Sequence, residues 1–97
     1  MCGFCGFVNT NIDNKKLILN NMMDTIAHRG PDSAGEYIDE HISMGFRRLS
    51  FLDLEAGAQP IYNEDGRFIL TFNGEIYNFM EIREKLIAAG HVFKTHT

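Results

Sequence analysis

The chain has 97 residues, enough for one domain with a modest core, and its 44% hydrophobic and 23% charged content is an ordinary globular balance. Net charge is −4, and no basic cluster exceeds Lys15-Lys16 or Arg47-Arg48, so a nucleic-acid surface has no electrostatic support. No apolar run is long enough for a membrane span and no basic-then-apolar leader opens the chain, so neither a membrane nor a secretory role is expected, and the reducing cytoplasm is the expected compartment.

The first residues set the chemistry. Once Met1 is trimmed, Cys2 carries a thiol and a free α-amino group on one residue. The amine titrates near ~7.7–8.0 and the thiol near ~8.5, so one residue can supply both base and nucleophile, the arrangement of an N-terminal nucleophile. With Met1 attached the amine is an amide and cannot act as a base. The plainer alternative is a small buried hydrophobe in a short apolar stretch.

In chain order, residues 4–8 predict a strand with Phe4, Gly6 and Val8 on one face and Cys5 and Phe7 on the other. Residues 9–14 are a polar turn. A helix is expected over residues 15–27, capped by Asp13 or Asn14, with Leu19, Met22, Met23 and Ile26 as its buried stripe. His28-Arg29-Gly30-Pro31-Asp32 ends it, because Pro31 cannot continue a helix. Strands are expected at residues 34–38 and 41–47, around Asp39-Glu40. Residues 49–57 are less regular. Residues 61–63 and 67–72 predict a hairpin around Asp65-Gly66. A second helix over residues 79–89 would be capped by Asn78, with Ile82, Leu86 and Ala89 as its apolar face, and stopped by Gly90. His91 onward predicts a helix exit into a new strand, which then stops, so the chain is expected to be part of something longer.

Several residue groups can carry chemistry. Cys2-x-x-Cys5 could be a redox dithiol, although that chemistry favours a helix N-terminus. Cys2 and Cys5 with His91 and His96 could bind zinc, but the separation is far from zinc-finger spacing, and no metal site is assigned. His28, His41, His91 and His96 are more simply surface or packing residues. Asn73-Gly74 follows a predicted strand. It can form a hairpin turn, or it can supply a side-chain amide and a backbone N–H to a tetrahedral oxyanion. Arg48 can hold a carboxylate by two hydrogen bonds or remain a surface arginine. Glu75 can hold an ammonium group or be solvated.

Five ordered strings carry a resemblance: Met1-Cys2-Gly3-Phe4-Cys5-Gly6, His28-Arg29-Gly30-Pro31-Asp32, Arg47-Arg48-Leu49-Ser50, Gly57-Ala58-Gln59-Pro60 and Phe72-Asn73-Gly74-Glu75-Ile76-Tyr77-Asn78. Together they resemble, over the whole chain, the start of a class II glutamine amidotransferase, the glutaminase domain of glutamine-hydrolysing asparagine synthetases. The resemblance implies an α+β N-terminal nucleophile hydrolase fold, an αββα sandwich of antiparallel sheets and two helices, here only its N-terminal portion. It implies catalysis by Cys2 with an oxyanion hole at Asn73 and Gly74. L-glutamine would be bound by Arg48 at its α-carboxylate, by Leu49, Ser50, Phe51 and Leu52 along a pocket loop, and by Asn73, Gly74 and Glu75, with Glu75 on the α-amino group. Arg29 and Asp32 would brace the site. Ammonia would pass to a C-terminal synthetase domain, absent from this chain, that uses ATP and magnesium to make asparagine from aspartate. The glutaminase domain itself has no cofactor.

Relatives that amidate another carboxylate, and a non-catalytic Cys-x-x-Cys binding or redox module, are the alternatives. Phe46 stands where the family usually has His, which would alter packing behind the site. The family's domain is also longer than this chain, and an aspartate expected to join Glu75 at the α-amino group would lie just beyond Thr97. A piece of the sandwich would leave sheet edges open, and open edges pair with other chains. The 97-residue chain is therefore expected to be inactive alone and to self-associate. Light scattering checks this: the expected result is a dimer or larger species, and a monodisperse monomer contradicts it.

Overall fold

A computed structural model describes residues 2–8, 11–49 and 58–95. Three antiparallel strands form the main sheet: β1 (Gly3–Val8), β2 (Ser33–Ile38) and β3 (Ile42–Arg48), in the order β1-β3-β2. Helix α1 (Lys15–Thr25) connects β1 to β2. A two-stranded sheet of β4 (Ile61–Tyr62) and β5 (Ile69–Leu70) follows, and then helix α2 (Phe79–Ala88). The architecture is α+β with antiparallel pairing throughout its named strands, as expected.

Register fixes what each face of the main sheet carries. Cys5 pairs with Gly45 and Gly45 with Glu36, so these share one face with the Gly3, Arg47, Ala34 row. Phe4, Phe46 and Gly35 form a row on the other face. Helix α1 covers the first face. Leu19 is fully buried, Met23 is 5% exposed, and a side chain at Gly45 would run into the Met23 thioether. Burying a side chain such as Leu19 contributes roughly 1.5–3 kcal/mol. Two polar ties set the helix across the sheet. Lys15 Nζ donates to the carbonyls of Asp39 (3.0 Å) and Glu40 (2.8 Å), and Lys16 pairs with Glu36 at 3.0 Å.

The second face is crossed by the chain entering β4. Gly35 lies directly beneath Gln59: a Cβ there would overlap the Gln59 carbonyl, so only glycine lets this backbone pass. Further along, the Tyr37 and Tyr62 rings meet edge to face at 6.1 Å. Phe46, between Phe4 and Gly35 in its row, is 2% exposed and belongs to the core on this side. Phe4 and Val8 at the β1 edge of the same face stay open to solvent.

Several expected boundaries shift for identifiable reasons. Helix α1 stops at Thr25 rather than residue 27, because the next N–H groups, of Ile26 and Ala27, bond back three residues to Met23 and Asp24. Of its expected stripe, Leu19 and Met23 are buried, while Met22 and Ile26 are only half-buried. Asn14 and Asn78 occupy the N-cap positions, but neither side chain caps, and Asn14 is left-handed at φ 60°. The expected return strand over residues 67–72 shrinks to β5. The N–H groups of Arg67 and Phe68 go instead to the side chains of Asp65 (3.0 Å) and Asn63 (2.9 Å), an alternative that short polar residues offer to a ladder.

The Asn63–Gly66 turn itself forms where expected, through Gly66 N–H to the Asn63 carbonyl at 3.1 Å. Gly90 follows the end of α2 as expected, and the helix closes one residue early, at Ala88. Gly90 is left-handed at φ 99°, with Gly90 N–H bonded to the Ile87 carbonyl and His91 N–H to the Leu86 carbonyl. The apolar face expected for α2 is only partly covered by the described residues, with Ile82 39% and Leu86 36% exposed and no buried residue in the helix. Residues 91–95 form no strand. They run between α2 and β4, with Arg83 donating to the Thr95 carbonyl (2.8 Å), stacking over Phe93 at 4.6 Å, and Lys94 reaching the Tyr62 and Asn63 carbonyls at 3.4 Å.

The β2–β3 turn is held by Asp39. Its carboxylate accepts the His41 N–H (2.8 Å), the Ile42 N–H (2.9 Å) and the Tyr37 hydroxyl (2.9 Å). These donors, the His41 N–H first, hold the Asp39 carboxyl below its ordinary value. A depressed carboxyl contributes stability that is present above its unfolded value of ~3.9 and lost as pH falls through the folded value. Asp39→Ala is therefore expected to lower the thermal midpoint by a constant amount between about pH 5 and 8, and by a shrinking amount below ~3.9. Thermal melts of both proteins across that range check this, and a difference independent of pH contradicts it.

Candidate active site

The site is built on the residue before β1. The Cys2 carbonyl accepts two hydrogen bonds from far along the chain: Arg29 Nε at 3.1 Å and Asn73 Nδ2 at 3.0 Å. The thiol lies against the backbone of Leu49, whose N–H donates to Sγ at 3.4 Å, while Sγ lies 3.7 Å from the Leu49 carbonyl. Cys2 is thus held at both ends, through its carbonyl and its sulfur.

Each partner is positioned by its own element. Arg29 sits in the tight turns after α1, where the i→i−3 bonds carry the chain back toward β1. From there Pro31 bridges in parallel to Arg48, and Asp32 N–H donates to the Arg48 carbonyl at 3.0 Å. That contact fixes the end of β3, and Leu49 follows directly. Asn73 comes from the segment between β5 and α2. The residue before it, Phe72, is gripped by the Gln59 side chain: Phe72 N–H donates to Oε1 at 2.7 Å, and Gln59 Nε2 donates to the Phe72 carbonyl at 2.8 Å.

The expected site residues separate into groups. Cys2, Asn73 and Leu49 are brought together. Arg48 lies beside Leu49 at the end of β3, half-buried, on the face opposite Arg47. The Arg47 Nε is buried and has no hydrogen-bond partner among the described residues. Gly74 and Glu75 are exposed and line an open groove of about 1290 Å³ with Gln59, Phe72 and residues of α2; neither hydrogen-bonds to Cys2. Ser50, Phe51 and Leu52 lie outside the described residues, as do Met1 and His96.

Asn73-Gly74 does not make a hairpin turn. The hairpin of this region is closed earlier, at Asn63–Gly66, and the Asn73 amide turns to Cys2. An amide nitrogen has two N–H groups. One is committed to the Cys2 carbonyl, and the other has no acceptor among the described residues. Arg29 donates to the Cys2 carbonyl, and Asp32, expected to brace the site with it, is tied through its N–H to the Arg48 carbonyl. Gln59 was not among the expected site residues; the signal available was its place in one of the five strings.

Cys2 and Cys5 occupy separate surroundings. Cys5 points to the α1 side, in a shallow cleft with Ile18, Asn21, Met22 and Thr25, where burial pushes its thiol up. Cys2 meets Leu49 instead, and both thiols are free. Residues three apart in an extended chain are about 10 Å apart and face opposite sides, beyond the ~7 Å limit for a disulfide without backbone movement. Among the described residues no three His, Cys, Asp or Glu side chains cluster as a metal site, and no helix is long and apolar enough to cross a membrane.

Comparison with known proteins gives the family of the chain. The family model of the glutamine amidotransferase domain matches residues 1–97. The chain is 49% identical over 100 aligned residues to asparagine synthetase (glutamine-hydrolyzing) 1 of Bacillus subtilis (strain 168), covering 98% of the chain and 16% of that protein. It is 43% identical to asparagine synthetase (glutamine-hydrolyzing) 2 of the same organism, covering 98% of the chain and 13% of the relative. A probable asparagine synthetase (glutamine-hydrolyzing) of Dictyostelium discoideum is 42% identical, covering all of the chain and 18% of the relative. The chain therefore spans less than a fifth of the length of these relatives, and along all of its own length it belongs to the glutamine amidotransferase domain family.

Proposed function

We propose that this domain hydrolyses L-glutamine with Cys2 as nucleophile and supplies the ammonia to a synthetase domain of the same protein. The observation that carries the reading is the Asn73 amide, 3.0 Å from the carbonyl of Cys2 across 71 positions of sequence. It places an amide donor beside the residue that would attack.

Removal of Met1 frees the Cys2 α-amine, which takes the thiol proton through a water. The thiolate attacks the side-chain amide carbon of glutamine and forms a tetrahedral oxyanion. The second N–H of Asn73 and the backbone N–H of Gly74 stabilise that oxyanion. The amine returns the proton to the leaving nitrogen, and ammonia departs from a γ-glutamyl thioester. Water then adds to the thioester and releases glutamate and the thiol. Arg48 grips the α-carboxylate by two hydrogen bonds, Glu75 holds the α-ammonium, and Leu49 with Ser50, Phe51 and Leu52 lines the pocket.

The antiparallel sheet, with α1 on one face and residues 59–62 on the other, supports an N-terminal nucleophile hydrolase sandwich completed by further chain. The names of the relatives support asparagine as the final product, made from aspartate. In that reading ATP and magnesium act on the synthetase domain, and no step at Cys2 passes through them. The cell compartment proposed is the cytoplasm.

Glutaminase kinetics of the full-length protein test the assignment. Cys2→Ala is expected to abolish glutamine hydrolysis while leaving ammonia-dependent synthesis. Asn73→Ala is expected to lower kcat by about 10²–10³ with little change in KM, the usual loss for one oxyanion donor. Hydrolysis that survives Cys2→Ala, or an Asn73→Ala protein with unchanged kcat, contradicts the proposal.

A further inference from the structure

The Gln59 side chain bonds both backbone groups of Phe72, N–H to Oε1 at 2.7 Å and Nε2 to the carbonyl at 2.8 Å. This is the pair of bonds that a neighbouring strand would give, supplied here by one carboxamide. The residue it grips lies immediately before Asn73. Beyond β5, the strand ladder offers Phe72 no partner, because β4 and β5 pair only Ile61 with Leu70 and Tyr62 with Ile69.

The other end of Gln59 is equally fixed. Its carbonyl sits on Gly35 of β2 with no room for a side chain between them. Gly35 pairs with Phe46, and Phe46 with Phe4 of β1, two residues after Cys2. The contacts therefore close a ring: Cys2 to β1, across β3 to β2, up to Gln59, across its side chain to Phe72, on to Asn73, and back by its amide to the Cys2 carbonyl. Every link but one is backbone-anchored secondary structure, direct backbone contact or the Asn73 amide itself. The remaining link is the Gln59 carboxamide.

We infer that Gln59 is a positioning residue for the oxyanion donor Asn73, tying the segment that carries it to the same sheet that carries Cys2. The inference rests on the glutaminase reading above. An oxyanion donor must be placed for the charge that develops in the transition state, so a misplaced Asn73 affects the chemical step more than ground-state binding. The Gln59 carboxamide bonds the Phe72 backbone rather than Cys2, and the role inferred for it runs through Phe72 to Asn73.

The test is steady-state glutaminase kinetics of full-length variants. Gln59→Ala is expected to lower kcat about ten-fold, part of the loss of the donor itself, with KM within about two-fold. In an Asn73→Ala background the same change is expected to add no further loss, because its target is gone. Gln59→Glu supplies a second readout that does not depend on how well the alanine variant folds. A protonated carboxyl offers the same donor and acceptor as the amide, whereas the carboxylate repels the Phe72 carbonyl. Its kcat relative to wild type at each pH is expected to rise as pH falls toward ~4.3. Additive losses in the double variant, unchanged kcat for Gln59→Ala, or a pH-independent ratio for Gln59→Glu overturns the inference. If Asn73→Ala alone keeps full kcat, the oxyanion reading fails first and this inference falls with it.

Discussion

Two hydrogen bonds converge on one carbonyl oxygen, that of Cys2, and the site depends on them. Arg29 arrives from the turn after α1, and Asn73 from the segment before α2. Neither neighbours Cys2 in sequence. A residue at the start of a chain has high conformational freedom unless something ties it down. Here the carbonyl is gripped by two side chains and the sulfur rests against the Leu49 backbone, so Cys2 is held in one place. Preorganisation of this kind is what a nucleophile needs if it is to meet an amide carbon in a reactive geometry.

The sheet is arranged to make those contacts possible. Small residues let other segments approach: the Met23 side chain lies over Gly45 on one face, and the Gln59 backbone lies over Gly35 on the other. The first contact seats the helix that delivers Arg29. The second seats the segment that holds Phe72 and, through it, Asn73. The Arg48 carbonyl, bonded to the Asp32 N–H, sets the exit of β3 so that Leu49 meets the thiol. Four of the five sequence strings thus meet at or next to Cys2, and the fifth, which contains Gln59, supports the contact from behind.

The local elements were legible in the sequence where a single signal dominated. The alternation from Phe4 to Val8, the Leu19 and Met23 spacing and the Gly90 stop each came from one unopposed preference. Legibility failed where side chains competed with the backbone. Asp65 and Asn63 take N–H groups that the return strand would have used, and Gln59 takes both groups of Phe72. The apolar side of α2 reads as a core face, yet none of its residues is buried by the described residues. At the site, Cys2 stood out by position and Asn73 by its place after a strand. Their meeting could not be read from spacing, because it depends on Gln59 acting in place of a strand. Gly74 as a backbone donor and Glu75 as an ammonium partner were open alternatives from residue type, beside a hairpin turn and a solvated carboxylate, and both residues line the groove.

The most direct test of the central claim, that Cys2 is an N-terminal nucleophile inside a glutamine pocket, is the intact mass of the protein before and after reaction with a glutamine-analogue diazo-ketone. The account predicts a mass lacking Met1 and one adduct, mapped to Cys2 by peptide analysis and prevented by excess glutamine. A protein that retains Met1 and gains no adduct, or one whose adduct maps to Cys5, would contradict it.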